Sequence, residues 1–409
     1  MQNFIKQTFN KIHLINYFTL HPRFYFLLLT CFICFNTSAK KIEKDKVILQ
    51  LKWKNQFQFA GYYAALEKGY YKDVGLDVEI KEIVKAESTI DEVLNGKAQY
   101  GIGGAELVIH YMNGEPIIVL ACILQNSPSS LLVKSSSNLN TLNDLLGKTI
   151  EIDKEQSGIE IIAMLLKEGI KSNQYKTLAS SYSLNNLLAN RVDAVEIYTS
   201  NEPFFLDKFG IPYKLFTPRE YGINFYSDCL FTTRNEVERH PERVKKFRQA
   251  SLKGWNYALD HPEEIANIII TKYQSTKTYE HLLFEAEEMR KLINPEFIDI
   301  GHCNKERWLN IVEVLSQQGL IKKHRTIDDF IYNPDYNYNV YTIRIFFVIL
   351  SMLIIITFYL SYYTLKLRSD KNALTSQSEN ANKKVDNLIE EIRRLNSEIN
   401  KLNSKSQGS

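Results

Sequence analysis

An uncharged hydrophobic segment near the carboxyl end constrains this chain more than any other feature. Residues 345–365 are 21 consecutive residues without a charge, enough at about 1.5 Å per residue to cross a hydrocarbon layer of roughly 30 Å. Lys366, Arg368 and Lys371 follow the segment, as is typical of a cytoplasmic end. The pattern predicts a single transmembrane helix over residues 343–365 in the inner (cytoplasmic) membrane. The chain before it is then periplasmic or extracellular.

A second hydrophobic run, residues 24–35, follows a basic start and precedes Thr37, Ser38 and Ala39. This order is typical of an export signal with a small-residue cleavage site. Residues 1–39 are therefore predicted to be a signal peptide that is cleaved after Ala39. The long leading region leaves an uncleaved anchor open as the alternative.

Charge and cysteine spacing do not favour a nucleic-acid-binding or a metal-binding protein. The 50 basic and 47 acidic residues leave a net charge of +3, which gives no field for a nucleic-acid partner. Cys122, Cys229 and Cys303, in the predicted exported region, show no metal-ligand spacing, and the sequence leaves their pairing open. Neither a metal site nor a cofactor is predicted.

Short apolar runs alternate with helical patterns between residues 46 and 235, which predicts parallel βαβ units and an α/β fold. The pattern starts again near residue 142, after residues 130–137 cross to another lobe, so two lobes with a cleft between them are expected. Ligands in such folds lie beyond the carboxyl ends of the strands. The eight predicted strands are 47–51, 78–80, 100–102, 117–122, 130–133, 149–152, 194–197 and 229–232.

The remaining chain is predicted to be helical. Between residues 235 and 318, Pro241 and Pro262 mark helix starts, since proline fits the first turn. Residues 40–330 would form the two-lobed solute-binding domain, and residues 331–342, which lack a hydrophobic period, a tether to the membrane.

A heptad pattern follows the predicted membrane helix and predicts a cytoplasmic coiled coil over residues 366–409. Lys371 and Ser378 occupy core positions upstream and weaken the coil, so the expected homodimer forms through residues 385–402. The apolar seam consists of Val385, Leu388, Ile392, Leu395, Ile399 and Leu402.

Loops after the predicted strands carry the candidate ligand-binding residues. In "KNQFQFAG", aromatic rings can stack on a flat heterocycle and amides can bond to it, although packing on the following helix explains these residues equally well. Carboxylates, amides and tyrosines suit a ring that carries amino groups, and no nucleophile or phosphate-binding motif indicates catalysis. The candidates are Trp53, Phe57, Tyr62, Gly104, Glu106, Asn126, Ser157, Glu196, Tyr198, Asn201, Glu202, Tyr221 and Asp228.

The order and spacing of "GYYKDVGLDVEI", "GEPIIVLACILQNSP" and "EPFFLDKFGI" resemble the exported pyrimidine-precursor-binding proteins of thiamine uptake. Fungal thiamine-pyrimidine synthases and alkanesulfonate-binding proteins are related to these. The resemblance covers residues 46–310 and implies a type II-like periplasmic binding protein fold that closes on a formylated or hydroxymethylated aminopyrimidine. It also implies that Trp53, Tyr62, Glu196, Asn201 and Glu202 lie on ligand-binding loops.

The resemblance to the synthases stops at their reactive residues. Synthases of this type use a lysine and a histidine in a "GLKAMIH" stretch, and the matching stretch here is "GIGGAEL", with Gly103 and Leu107 at those positions. The cysteine-rich run of the synthases is also missing. The chain is therefore predicted not to be an enzyme.

The predicted function is that of a membrane-tethered extracytoplasmic solute-binding protein for a thiamine-type aminopyrimidine, with an ABC permease as partner. The exported domain also resembles the sensor halves of membrane histidine kinases and diguanylate cyclases. A sensory receptor that signals through its membrane helix and coil to a separate protein is therefore the alternative. A thiamine pyrimidine synthase is the less favoured one.

Overall fold

The structure of the protein is a computed structural model, and the chain divides into two compact units. The first unit ends at Asn333 and the second begins at Pro334. The predicted signal peptide lies outside the described residues. Those residues are 45–84, 88–154, 157–323, 325–335 and 340–406.

Two five-stranded sheets form the centre of the first unit. Their strands, among the described residues, are β1 (Asp45–Gln50), β2 (Leu76–Lys81), β3 (Tyr100–Gly103), β4 (Ile117–Leu124), β5 (Ser129–Lys134), β6 (Thr149–Ile152), β7 (Lys176–Ala179), β8 (Ala194–Tyr198), β9 (Tyr213–Phe216) and β10 (Ser227–Thr233). The strand orders are β2-β1-β3-β10-β4 and β7-β6-β8-β5-β9. All eight predicted strands are present, so the strand prediction is confirmed. Two strands at sheet edges, β7 and β9, were not predicted.

The prediction of parallel units holds for only part of each sheet. β1 pairs in parallel with β2 and β3, and β6 with β7 and β8. β10, however, runs antiparallel to β3 and β4, and β5 runs antiparallel to β8 and β9. β5 and β10 each begin where the chain crosses from one sheet to the other, at residues 125–128 and 217–226. Each of them therefore starts at the edge where its neighbours end.

Helices cover the sheets and dominate the chain after β10, as predicted. The patterns at residues 159–168 and 184–190 are helices, and proline begins two of the later helices, at Pro241 and Pro262. In the described part of the first unit the helices are α1 (Ala60–Glu67), α2 (Tyr70–Asp73), α3 (Thr89–Leu94), α4 (Glu106–Met112), α5 (Ile159–Lys167), α6 (Asn185–Leu188), α7 (Glu202–Lys208), α8 (Arg234–Arg239), α9 (Pro241–Asp260), α10 (Pro262–Thr271), α11 (Tyr279–Ile293) and α12 (Lys305–Gln317). Short 3-10 helices span Phe57–Phe59, Ser135–Ser137, Leu142–Leu145 and Pro218–Tyr221.

Two glycines bring α1 against α9 and thereby fix the loop that precedes α1. A Cβ atom at Gly61 would lie 2.1 Å from Cγ of Trp255, and one at Gly254 would lie 2.1 Å from the carbonyl oxygen of Gly61. No larger side chain fits at either position without moving a helix. The group that approaches Gly61 most closely is therefore the Trp255 ring.

The three cysteines among the described residues of the first unit, Cys122, Cys229 and Cys303, are free thiols. Cys122 and Cys229 lie opposite each other in the pairing of β4 with β10 and are fully buried, and burial raises the pKa of both thiols. The pairing that the sequence left open is therefore absent among these residues.

The second unit is a single long helix, α13 (Val340–Ser406), of 67 residues. Among the described residues it is the one helix that is long and apolar enough to cross a membrane. The predicted tether is shorter than residues 331–342, because Ile331 still bridges to Val119 of β4 and α13 already begins at Val340.

Candidate functional site

A cavity of about 440 Å³ lies between the two sheets, within the size range of small-molecule sites. Its first wall follows β1 and β3 and includes Trp53 and Glu106. Its second wall follows β6 and β8 and includes Ser157 and Glu196. The cavity therefore lies at the carboxyl ends of parallel strands from both sheets, the position that the fold class predicts for a ligand.

Carboxyl groups dominate the inner part of the cavity. Glu160, on the first turn of α5, is 5% exposed, and its Oε2 has no hydrogen-bond partner among the described residues. Burial raises the pKa of Glu160 to about 8, although a hydrogen bond with Ser127 and the positive charge of Lys52 oppose the shift. Burial likewise raises the pKa of Glu196 to about 7. At neutral pH the cavity thus contains a protonated carboxyl group that can donate a hydrogen bond as well as accept one.

Lys52 provides the positive charge beside these carboxyl groups. Its Nζ lies 2.7 Å from Oδ1 of Asp228 and donates to the hydroxyl of Tyr198 at 3.1 Å. Burial acts to lower the pKa of Lys52, but the Asp228 carboxylate and Tyr198 outweigh it, so the net shift is upward. Gln58 donates to the other oxygen of Asp228 at 2.8 Å. Lys52 is therefore a fixed cation that connects the first wall to the second.

An aromatic pair also joins the two walls. The rings of Trp53 and Tyr182 have centroids 4.6 Å apart at an interplanar angle of 58°. The Tyr182 hydroxyl donates to Asp153 Oδ2 at 2.9 Å. Both rings line the cavity and contact each other, so together they offer a flat ligand one aromatic surface that is built from both walls.

The outer part of the cavity is closed by contacts between α7 and the start of α11. His281 is buried and stacks on Phe204, with centroids 4.3 Å apart and planes 9° apart, while Phe205 meets the edge of the same imidazole at 4.8 Å. Burial and the neighbouring Lys277 lower the pKa of His281 to about 3. Lys277 donates to Asn201 and to Glu285. This end of the site thus combines a neutral stacked ring with a paired lysine.

The structure brings eight of the thirteen predicted residues to the cavity. They come from the carboxyl ends of four strands, β1, β3, β6 and β8, and both sheets contribute. The eight lining residues are Trp53, Gly104, Glu106, Ser157, Glu196, Tyr198, Asn201 and Glu202.

The other five candidates do not line this cavity. Phe57 is buried, and its N–H donates to Glu285. Tyr62 packs edge-to-face on Trp255, with centroids 5.8 Å apart, because the α1–α9 contact turns it away from the cleft. Phe59 and Tyr63, from the same stretch, are also fully buried and lie off the cavity wall.

Asn126, Tyr221 and Asp228 also lie off the cavity wall, each for a different reason. The N–H of Asn126 donates to the carbonyl of Leu292 where the chain crosses between sheets. Tyr221 ends a 3-10 helix that packs near α5. Asp228 is 2% exposed and holds Lys52 in place, so it supports the wall from behind.

Several lining residues were missed by the sequence reasoning. Glu160 follows the candidate Ser157 by three residues, and Lys52 directly precedes the candidate Trp53. Both missed residues therefore lie next to residues that the sequence had indicated. Phe204 and Phe205 likewise follow the candidate Glu202 closely, whereas no local pattern separates His281, on α11, from the core residues of its helix.

The family described as "NMT1/THI5 like" matches residues 56–265, slightly more than half of the chain. The chain belongs to the NMT1/THI5-like family. The matched region runs from the loop before α1 into α10 and therefore contains most of the cavity wall.

Relatives of this NMT1/THI5-like chain include binding proteins and synthases. The formylaminopyrimidine-binding protein of Halalkalibacterium halodurans is 22% identical over 72% of this chain and 92% of its own length. The riboflavin-binding protein RibY of Chloroflexus aurantiacus is 25% identical over 54% and 64%. A 4-amino-5-hydroxymethyl-2-methylpyrimidine phosphate synthase of Saccharomyces cerevisiae is 24% identical over 53% and 68%. Solute binding is thus the named role of the first two relatives.

A solved structure confirms the fold expected for this family member. The periplasmic aliphatic sulphonate-binding protein SsuA of Escherichia coli superposes with a TM-score of 0.57 over 72% of this chain and 94% of its own length, at 13% identity. The expected two-lobed periplasmic binding protein fold is therefore confirmed.

Proposed function

We propose that the protein is a membrane-tethered, extracytoplasmic solute-binding protein for an aminopyrimidine of the thiamine-precursor class. The observation that carries the proposal is the cavity between the sheets, where the buried carboxyl groups of Glu160 and Glu196 face the same space as the rings of Trp53 and Tyr182. The relative named for formylaminopyrimidine binding supports this choice of ligand class.

An aminopyrimidine matches these groups chemically. Its ring nitrogens accept hydrogen bonds and its exocyclic amine donates them, while its faces are flat and apolar. A carboxyl group that keeps its proton near neutral pH, as Glu160 does, can donate to a ring nitrogen and accept from the amine at the same edge. The aromatic pair supplies the stacking surface.

Binding rather than synthesis is the role that the site supports. The lysine position of the synthases is Gly103 here, at the end of β3, and a Cβ there would lie 2.8 Å from the side chain of Leu107. Leu107 occupies the histidine position and is fully buried in the core. The two positions thus pack against each other, and neither is among the residues that line the cavity.

Calorimetry on the full-length chain in detergent tests the proposal. We expect binding of 4-amino-5-hydroxymethyl-2-methylpyrimidine or its formylamino analogue, and weaker binding after Trp53→Ala. Asn126→Ala, which lies off the cavity wall, is the matched control and should bind like the unsubstituted chain. Riboflavin and an alkanesulfonate serve as competing ligand classes. The proposal fails if no aminopyrimidine binds, or if only one of these competitors does.

A sensory role is the second candidate, favoured by α13, which continues without a break for 67 residues. We propose that its carboxyl-terminal part forms a homodimeric coiled coil through residues 385–402, which a signalling protein or an ABC permease could contact. Chemical crosslinking of the full chain in membranes, with and without an aminopyrimidine, separates these roles. A ligand-dependent change in crosslinking supports signalling, and an unchanged pattern supports tethered uptake.

A further inference from the structure

The heptad register of the coil continues through the polar segment towards the membrane. Residues 366–384 contain four apolar side chains, and three of them, Leu367, Leu374 and Ala381, precede Leu388 by whole heptads. Leu374 is 67% exposed on α13. In a segment of otherwise charged and polar residues, leucines kept at a seven-residue spacing indicate a contact that the helix does not make within its own unit.

The same register enters the predicted span. Leu360 and Leu353 continue the series at seven-residue steps, and Thr357 and Thr364 occupy the neighbouring core position, where small polar side chains allow close approach of membrane helices. Both threonine hydroxyls bond to backbone carbonyls of their own helix, so their polar groups are already satisfied in a lipid environment. α13 has no break between these residues and the coil.

A straight α-helix would not keep a series of this length on one face. A straight α-helix drifts by about 20° per heptad relative to a seven-residue repeat, so the six heptads from Leu353 to Leu395 would spread the series over about 120°. The residues share one face only if the helix supercoils around a partner with the same repeat. A second copy of this chain carries that repeat by definition.

We infer that two copies of this chain pack in parallel along one continuous seam, from Leu353 inside the membrane to Leu395 in the coil. The polar residue Lys371 at a core position fits this arrangement. In a parallel coil, the residue just before each core position lies beside the core residue of the other helix. Asp370 of the second copy therefore lies beside Lys371 and offsets its charge. The inference rests on the membrane-tethered part of the proposed function and is independent of the ligand.

Cysteine crosslinking of the full-length chain in native membranes tests the seam. Leu360→Cys and Leu367→Cys should form disulfide-linked dimers when iodine is added. Their matched controls on the opposite helix face, Tyr362→Cys and Ser369→Cys, should remain at the background set by the unsubstituted chain. Absence of dimers at both seam positions, or equal dimers at all four, overturns the inference.

Insertions test whether the membrane and coil contacts share one register. Two alanines inserted after Ser376 rotate the preceding helix by about 200°, so crosslinking should move from Leu360→Cys to Tyr362→Cys. Duplication of residues 370–376, a whole heptad, should leave it at Leu360→Cys. Crosslinking that stays at Leu360→Cys after the two-residue insertion shows two independent contacts and refutes the continuous seam. These crosslinking experiments need no ligand. Their result is therefore independent of whether calorimetry detects aminopyrimidine binding.

Discussion

Replacement of Glu160 by glutamine should stabilise the first unit at alkaline pH. The folded state holds the Glu160 carboxyl at a pKa of about 8, whereas an unfolded chain leaves it near 4.5. Below pH 4.5 the group is neutral in both states. Between about pH 4.5 and 8 the unfolded chain releases the proton and the folded protein keeps it, so the free energy of unfolding falls as pH rises.

The gap of about 3.5 pKa units corresponds to roughly 5 kcal/mol at 1.36 kcal/mol per unit, as an order of magnitude. Glutamine does not titrate and keeps the shape of the neutral carboxyl. The free energy of unfolding of Glu160→Gln, minus that of the unsubstituted chain, should therefore increase by several kcal/mol between pH 4.5 and pH 8.5. The subtraction cancels the titration of other groups.

Urea unfolding followed by tryptophan fluorescence measures this difference in the full chain. All three tryptophans, Trp53, Trp255 and Trp308, lie in the first unit, so the signal reports on that unit. Glu151→Gln is the matched control, because the buried Glu151 carboxylate accepts hydrogen bonds from Ser181 and Asn186 and should lose stability when replaced. A difference for Glu160→Gln that stays flat with pH, or declines, would refute the reasoning.

Three further substitutions have expected outcomes. Lys52→Met should cost about 3–5 kcal/mol in urea unfolding because it leaves the Asp228 carboxylate buried and unpaired, and Asp228→Asn in the same chain should recover part of that loss. Trp53→Ala should weaken aminopyrimidine binding in calorimetry by roughly 2- to 10-fold, the value of one aromatic contact, whereas Trp53→Phe should keep most of it. Gly61→Ala should cost about 1–3 kcal/mol or more, since its methyl group meets the Trp255 ring, and an unchanged unfolding midpoint would contradict the close α1–α9 contact.

The sequence predicts strands well where burial is strong. All eight residues of β4 are buried, and its run of branched and apolar residues is unambiguous. β7 was missed because it is a four-residue edge strand, Lys176–Ala179, with no buried residue, so hydrophobicity gives it no pattern. Its position depends on pairing with β6, which is a tertiary interaction.

Site residues can be predicted from the sequence where a strand and the loop after it are sufficient to place them at the cavity. Trp53 follows β1 and Glu196 lies in the carboxyl-terminal half of β8, so strand ends alone place both residues at the cleft. Lys52 could not be assigned, because a single lysine beside a strand is usually solvated. Its role depends on Tyr198, which is 146 residues away in the chain. A contact between residues so far apart in the chain produces no local sequence pattern.

The stacked imidazole between α7 and α11 has a consequence for how the cavity responds to pH. Because the pKa of His281 is about 3, the ring stays uncharged while the surrounding fluid varies between mildly acidic and mildly alkaline. In the unfolded chain the same histidine gains a proton below about pH 6.5. Acidification therefore reduces the resistance of the unit to unfolding through this residue, but it does not loosen the stack of His281 on Phe204 in the folded protein. This part of the cavity wall therefore keeps the same charge and the same ring stack when the surroundings become mildly acidic.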